Sequence, residues 1–442
     1  MTGCTRYAQE RIVSPMNQFD NFYTNESLQL FLMIPVFFIA LYAAMRITSV
    51  GRSIHSIPQS RPRLIMCIAF TVLGAACLGY MFLSHLELQI QNAPVNRVLV
   101  WISGCYAAFF IYFFPLLIVS DLFCFLLRNS GKKEMLARLF MTLSVGFAVF
   151  LTICGVIHAR NVRTVHYDLS SEGKLSVPVR VVEVSDLHMG SVIGTAHVQR
   201  VVDAVNASQP DIVVFLGDQF NRTSAVDVVD AEAIFKILSQ IKAPLGVYAV
   251  LGNHDPDLNT EIYQQYLTES GITALDNGVL EIIPDSSGQL AEIRTLVSAS
   301  SDGSLTSATP EIPVDGALLL AGRTKLSRDK ERVPLAELLN RAGITRPDYY
   351  LLVLDHDPNG ITEATACDAD LVLAGHTHRG QFFPLSLLTQ FSYEKGYFYG
   401  LAQSVNELTG HITTSIVSAG AGYFQTPIRI GTDSEIVCVE LR

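Results

Sequence analysis

The chain has 442 residues, 49% of them hydrophobic and 16% charged, and its mean hydropathy is +0.33. Almost all the long apolar runs lie before residue 160, which excludes a wholly soluble enzyme, a disordered chain and a small disulfide-knotted secreted domain. The formal net charge of −10 divides unevenly: residues 1–163 carry 13 Lys and Arg against 6 Asp and Glu, whereas residues 164–442 carry 18 against 35. Phosphate backbones are held by Lys and Arg, so no nucleic-acid partner is expected for the acidic part. Carboxylates in such numbers can instead hold cations.

Four apolar stretches come first, at about 28–45, 64–83, 98–127 and 139–157. A helix needs about 20 apolar residues to cross ~30 Å of hydrocarbon. The runs therefore read as four transmembrane helices forming a membrane domain over residues 1–163, ahead of a second domain over 164–442. The first run lies too far from the N-terminus, and lacks a small-residue cleavage site, to be a signal peptide. Arg46, Arg52, Arg61 and Arg63 lie between runs one and two, and Arg128, Lys132, Lys133 and Arg138 between three and four. Only Arg6, Arg11, Arg97, Arg160 and Arg163 lie on the other side. Basic loops stay in the cytoplasm, so the expectation is a multi-pass protein of the cytoplasmic (inner) membrane whose C-terminal domain is extracytoplasmic, in contact with membrane lipids.

Asp121 falls inside the third run, where an ionisable group marks a functional site by default; if the span ends near Val119, it is an interfacial residue instead, and that reading is preferred. Cys67, Cys77, Cys105, Cys124 and Cys154 sit in the runs as small apolar residues. Cys367 and Cys438 belong to the second domain, and whether they pair is open.

From about residue 164 the texture becomes α/β. Runs at 179–184, 211–216, 246–251, 349–354 and 370–374 are rich in Val, Ile, Leu and Tyr and are bounded by turn residues, as buried strands are. Stretches at 195–208, 226–241 and 261–270 between them read as helices, so a layered α/β domain is expected. The stretch 298–313 reads as an exposed loop. Each strand delivers polar groups at its C-terminal edge: Ser185-Asp186-Leu187-His188, Gly217-Asp218, Gly252-Asn253-His254-Asp255, Asp355-His356-Asp357-Pro358 and Gly375-His376-Thr377-His378. That edge is where open α/β sheets bind ligands. Any one of these motifs is ordinary turn chemistry, and Asp355 and Asp357 could simply cap a helix near Asn359. The ordered set is specific. Imidazole and carboxylate ligands together suit divalent Zn, Fe, Mn or Ni, and a carboxylate such as Asp218 can bridge two ions about 3.5–4 Å apart.

The set SDLH, GDQ, GNHD, LDHDP and GHTH resembles the calcineurin-like metallophosphoesterases, whose pattern is D-x-H, GD, GNH[DE], a lone His and GHxH. The stretch GHTHRGQFFP, the ending Pro427-Ile428-Arg429-Ile430-Gly431, and Ala321-Gly322-Arg323 followed by Arg332-Val333-Pro334-Leu335 are similar to a bacterial membrane-anchored, YkuE-like branch. The resemblance implies an α/β sandwich of two sheets flanked by helices and a dinuclear centre. Asp186, His188 and His378 would hold one ion, Asn253, His356 and His376 the other, and Asp218 would bridge. His254 would be the general acid and Asp255 would orient its ring. Two departures stand out: Gln219-Phe220-Asn221 follows GD, and Arg379 follows GHTH, either to meet a substrate phosphate or as a solvated loop residue.

Residues 382–400, crowded with aromatics and Leu, read as a loop that either packs on the domain or forms an apolar lip meeting acyl chains or the membrane surface. The resemblance implies a dinuclear metal-dependent phosphoesterase. In such an enzyme a hydroxide held by the metals attacks phosphorus, and His254 protonates the leaving oxygen. The substrate expected is a membrane- or envelope-associated mono- or diester. The alternatives are pyrophosphate-bond hydrolysis of a nucleotide-linked lipid, which needs a domain facing the cytoplasm, or a non-catalytic membrane scaffold or sensor that kept the fold.

Overall fold

The computed structural model describes residues 42, 45, 60–85, 90, 93–127, 129–222, 224–225, 228–284, 290–299, 305–307, 314–324, 332–344, 349–393 and 396–442. The chain falls into two compact units, one comprising Met1–Arg11, His158–Phe424 and Arg429–Arg442, the other Ile12–Ile157 and Gln425–Ile428.

The first unit contains two sheets. One runs in the order β1-β14-β2-β3-β4-β5, with β1 Val162–Leu169, β2 Val179–Val184, β3 Ile212–Leu216, β4 Val247–Val250, β5 Thr273–Ala274 and β14 Ser434–Leu441. The other runs β12-β13-β11-β10-β9-β6-β7-β8, with β6 Gly278–Pro284, β7 Leu290–Ala299, β8 Leu305–Ser307, β9 Leu318–Gly322, β10 Tyr350–Leu354, β11 Leu371–Ala374, β12 Gly400–Val405 and β13 Ile412–Val417.

Successive side chains on a strand face opposite ways, and that alternation decides the layers. Ile212, Val214 and Leu216 of β3 join Leu318 and Leu320 of β9 and Leu352 and Leu354 of β10 in one core between the sheets. Val213 and Phe215 face the other way, toward Val198, Val201, Val202 and Val205 of the helix Thr195–Ala207 and Phe235 of the helix Ala231–Leu238. Leu351 and Val353 of β10 meet Leu335, Leu338 and Leu339 of the helix Leu335–Arg341. The result is helices, sheet, sheet, helices. Buried Val, Leu and Phe side chains contribute ~1.5–3 kcal/mol each, so the strand ends that carry the polar turns are firmly fixed.

The five strands and three helices expected from the sequence are present, most with ends moved by a residue or two; the helix expected at 226–241 is shortened to Ala231–Leu238. Two loops differ from expectation. Leu305–Ser307, inside the expected loop 298–313, pairs with β7 as β8; residues 300–304 and 308–313 lie outside the described residues. Within 382–400, Leu385–Ser392 is a helix. Cys438 is a free, buried thiol whereas Cys367 is disulfide-bonded, so these two do not pair.

In the second unit, helices cover Ser60–His85, Ala93–Leu126 and, up to its last turn, Lys133–Ala159. The Tyr80 hydroxyl donates to Asn96 Oδ1 at 2.6 Å between the first two. Among the described residues two segments are long and apolar enough to cross a membrane, Pro94–Leu126 and Met135–Ala159; Thr71–Met81 is a shorter apolar stretch. Leu143, Phe150, Ile153 and Ile157 recur along one helix and are each more than half exposed, a pattern that suits a lipid environment. The run expected at 28–45 lies, apart from Tyr42 and Met45, outside the described residues, so four spans are not established. The helix carrying Asp121 does not end near Val119 but continues to Leu126, and the Tyr42 hydroxyl donates to the Asp121 carboxylate.

Candidate metal centre

The parallel strands β2, β3 and β4 of one sheet and β10 and β11 of the other each end in one of the polar turns. Beyond the strands, the turns stay laced together: Asp186 N donates to Gly217 O at 3.1 Å, His188 N to Asp218 O at 2.9 Å, and Gly375 N to His356 O at 3.1 Å. Two glycines allow this close approach. A Cβ on Gly252 would lie 2.2 Å from the Asp218 backbone nitrogen and carboxylate, and one on Gly375 would lie 2.5 Å from Asp186 Oδ2. Asp186, His188, Asp218, His376 and His378 all have φ between +48° and +71°. Such left-handed backbone costs free energy in non-glycine residues and persists where surrounding contacts over-determine it, as at functional sites.

Two groups of side chains result. Asp186, His188 and His378 form one, and Asp218, His356 and His376 the other; within each, the ligand atoms lie within 4.8 Å of one another. Both groups draw on both sheets. His188 Nε2 lies 2.9 Å from His378 Nε2, and His378 Nε2 lies 3.6 Å from Asp186 Oδ1. In the second group His356 Nε2 lies 3.3 Å from Asp218 Oδ2, 3.1 Å from His376 Nδ1 and 3.0 Å from Asn253 Oδ1. The two groups are joined through Asp218, whose Oδ2 also lies 3.8 Å from His188 Nε2. Sequence reasoning therefore selected residues that the fold brings together: all seven expected ligands are here.

The donor set fits divalent cations. His356 Nδ1 donates to the Leu216 carbonyl at 2.8 Å, which turns Nε2 toward Asp218, the usual support of a ligating imidazole; a cation bound at Nε2 would displace the proton that Asp218 otherwise holds there. Burial opposes protonation of His188, bringing its pKa down to about 3, and it also holds His378 well below the usual imidazole range. Both stay neutral with lone pairs available. Burial raises the Asp186 pKa. Burial would raise that of Asp218 too, but His356 and His254 outweigh it and hold that carboxyl well below its usual range. His356 is its counterpart: burial disfavours its charge, yet Asp218 lifts its pKa to about 10. Mixed imidazole and carboxylate donors of this kind suit a pair of Zn, Fe or Mn ions.

His254 stands at the rim. Its backbone nitrogen donates to Asp218 Oδ1 at 2.8 Å, and its ring lies 4.8 Å from the Phe424 ring and 5.4 Å, edge-on, from the His188 ring. Asp255, expected to orient that ring, also holds the backbone. It is fully buried, with Oδ1 accepting from Phe220 N at 2.9 Å and Oδ2 from Gly252 N at 2.7 Å, so its carboxylate ties the turn after β4 to the turn after β3. Gln219 and Phe220 are interior residues rather than pocket residues: Gln219 Nε2 donates to Val250 O at 3.0 Å, and Phe220 packs against Phe235 and Tyr266. Asp357 is the helix cap, accepting from Asn359 N at 2.9 Å. Asp355 instead pairs with the buried Arg332 and accepts from Asp357 N at 3.1 Å, which braces the turn carrying His356. The Arg379 guanidinium lies 4.1 Å above the Tyr399 ring.

Three residues of this region escaped sequence reasoning. Arg429 is fully buried and donates to the carbonyls of His378, Ala419, Gly420 and Gly422 at 3.0, 2.6, 3.2 and 2.6 Å. Gly422 N in turn donates to Asp186 O at 3.0 Å. One guanidinium thus binds the turn of His378 to the loop lying on Asp186. An arginine flanked by Ile428 and Ile430 was the available signal. Glu183 on β2 is fully buried with neither oxygen hydrogen-bonded; burial, then Glu435 and Asp186, push its carboxyl well above the usual range. Phe424 had no signal beyond being aromatic.

Residues 179–380 match the calcineurin-like phosphoesterase family. Over 408 residues the chain is 27% identical to a transmembrane protein with metallophosphoesterase domain from Danio rerio, covering 89% of this chain and 83% of that one. It is 26% identical over 269 residues to the uncharacterized metallophosphoesterase YkuE of Bacillus subtilis (strain 168), covering 60% and 79%. Against the UDP-2,3-diacylglucosamine pyrophosphatase LpxG of Chlamydia muridarum (strain MoPn / Nigg) it is 25% identical over 226 residues, covering 46% and 64%. With the strand-end motifs gathered into two ligand groups, these matches show that the chain carries a calcineurin-like metallophosphoesterase domain and has relatives named metallophosphoesterases, which indicates a metal-dependent phosphoester hydrolase.

Proposed function

We propose that this is a multi-pass enzyme of the cytoplasmic membrane that hydrolyses a phosphoester, mono- or diester, of a membrane- or envelope-associated substrate. Residues 1–163 act as a four-helix anchor and residues 164–442 as an extracytoplasmic catalytic domain. The observation that carries the reading is the pair of ligand groups, built from both sheets and joined through Asp218. Asp186, His188 and His378 would hold one divalent cation and Asn253, His356 and His376 the other, with Asp218 between the two groups. Two such ions supply Lewis-acid polarisation of the phosphoryl oxygen and lower the pKa of a water. The chain's own residues do the rest. His254, whose turn is anchored by Asp255, gives a ring proton to the leaving alkoxide. Arg379, held against Tyr399, presents charge to a phosphate oxygen beside His378.

Two observations support an extracytoplasmic domain. Basic residues are concentrated in the loops expected on the cytoplasmic side, and Cys367 is disulfide-bonded, which suits an oxidising compartment. A second reading follows from LpxG, whose name gives it a pyrophosphatase activity on a nucleotide-linked lipid: this chain would cleave a pyrophosphate bond on the cytoplasmic side.

Membranes containing the wild-type chain or His376→Ala, given lipid-linked phosphoesters and a nucleoside-diphosphate-linked lipid, separate the readings. Metal-dependent release from the phosphoesters, lost in His376→Ala, supports the first. Release of a nucleoside monophosphate alone moves the assignment to the second. Bound metal without turnover on any of these would point to a scaffold or sensor.

A further inference from the structure

The helix Leu385–Ser392 is built inside out. Four residues separate it from the His378–Gly380 turn, and it rests against that turn: a Cβ on Gly380 would lie 2.5 Å from Ser386 Cα and 2.7 Å from Thr389 Oγ1. The residues turned toward the domain are thus the small polar ones, Ser386 and Thr389, both half-buried. The apolar residues face away, with Leu385 40% exposed, Leu387 46%, Leu388 62% and Phe391 84%, and Phe383 just before the helix 52%. No residue from 382 to 392 is charged. A surface helix in water shows the opposite arrangement, with its apolar stripe inward. An outward apolar face without charge fits surroundings that are themselves apolar, at the boundary between headgroups and acyl chains.

The chain itself indicates which apolar surroundings these are. Only Arg160 and Asn161 separate the apolar helix ending at Ala159 from β1 at Val162. A link of this length spans about 10 Å at full extension, so the catalytic unit cannot leave the bilayer in which that helix sits. We infer that the helix Leu385–Ser392, with Phe383, dips its apolar face into the acyl boundary of that same bilayer, so that the turn carrying His378 and Arg379 meets phosphoesters at the headgroup level. The inference rests on the proposed membrane-anchored phosphoesterase and deepens it, because it makes the substrate a bilayer lipid phosphoester taken without extraction into water.

The chain has one tryptophan, Trp101, so Phe391→Trp in a Trp101→Phe background gives a single reporter. In the full-length protein reconstituted into phosphatidylcholine vesicles, the new indole is expected to lose most of its emission to lipids labelled with a nitroxide near the headgroup, lose less to deep-labelled lipids, and resist acrylamide. Quenching by acrylamide alone places the helix in water, and quenching by neither places it under protein, such as a second copy; both overturn the inference. In a second arm, Leu388→Ser with Phe391→Ser should lower turnover of a vesicle-embedded phosphoester at least about tenfold, since loss of even one Leu-sized apolar contact would do so, with hydrolysis of a soluble aryl phosphoester unchanged. An equal fall in both activities makes the helix merely structural. Absence of metal-dependent aryl ester hydrolysis in the wild type would instead count against the phosphoesterase reading itself.

Discussion

Arg429 places a full positive charge where no solvent reaches, and the arrangement holds because four backbone carbonyls receive its protons. Burial lowers its pKa to about 10, with Glu435 and Asp186 acting in the opposite sense, so it stays charged at neutral pH. Its work is positional, since it fixes the carbonyl of His378 against the loop on Asp186. Arg429→Lys keeps the charge but cannot reach several carbonyls at once. It should weaken cation binding ~10–100-fold, as losses around metal ligands do, read by titrating metal into the metal-stripped protein; unchanged affinity would reduce Arg429 to a packing residue. His254→Ala should slow alkyl phosphoesters by about 10²–10⁴-fold while sparing activated aryl esters, which leave without a proton. Equal losses on both would remove the acid role. The expected ligands were legible in the sequence because each follows a strand end that hydrophobic pattern already locates. The role of Arg429 was not, because its partners are backbone carbonyls, and the bond from Phe220 N to Asp255 was hidden because it joins two turns far apart in the chain.

Strands and turns explain why the motif glycines matter as much as the ligands. Gly252→Ala would put a methyl group 2.2 Å from the Asp218 backbone and carboxylate, forcing the turns after β3 and β4 apart. A loss of ~1–3 kcal/mol in stability is expected, the usual cost of overpacking, together with loss of activity. A thermal unfolding curve like that of the wild type would show that the turns can relax. The buried parallel strands were readable as short apolar runs because both their faces are covered, by helices on one side and the other sheet on the other. The helix Leu385–Ser392 was hidden for the reverse reason: its Leu and Phe residues face outward, so the usual helical signal of an inward stripe was inverted, and Pro384 and Gly396 at its flanks read as loop. Strands such as β12, whose alternate residues are exposed, left a weaker pattern than the core strands.

At the scale of the whole chain, a basic apolar N-terminal part and an acidic α/β part were visible from charge and hydropathy alone, because lipid and water select different compositions. Orientation can be tested through Cys367. If the catalytic unit is extracytoplasmic, alkylation of intact, unreduced protein should leave Cys367 unlabelled and reduction should expose it; labelling without reduction would place it in a reducing compartment. The central claim, that two cation sites drive phosphoester hydrolysis, is tested most directly on the purified full-length protein. Metal content and turnover of chromogenic phosphate mono- and diesters should be measured together, after chelation and after adding back Mn, Zn, Fe or Ni, with Asp218→Asn and His376→Ala alongside. The account predicts two ions per chain, one for each ligand group, turnover that vanishes on chelation and returns with metal, and loss of both ions' function in Asp218→Asn. Full turnover in the chelated protein, or an Asp218→Asn variant as active as the wild type, would contradict it.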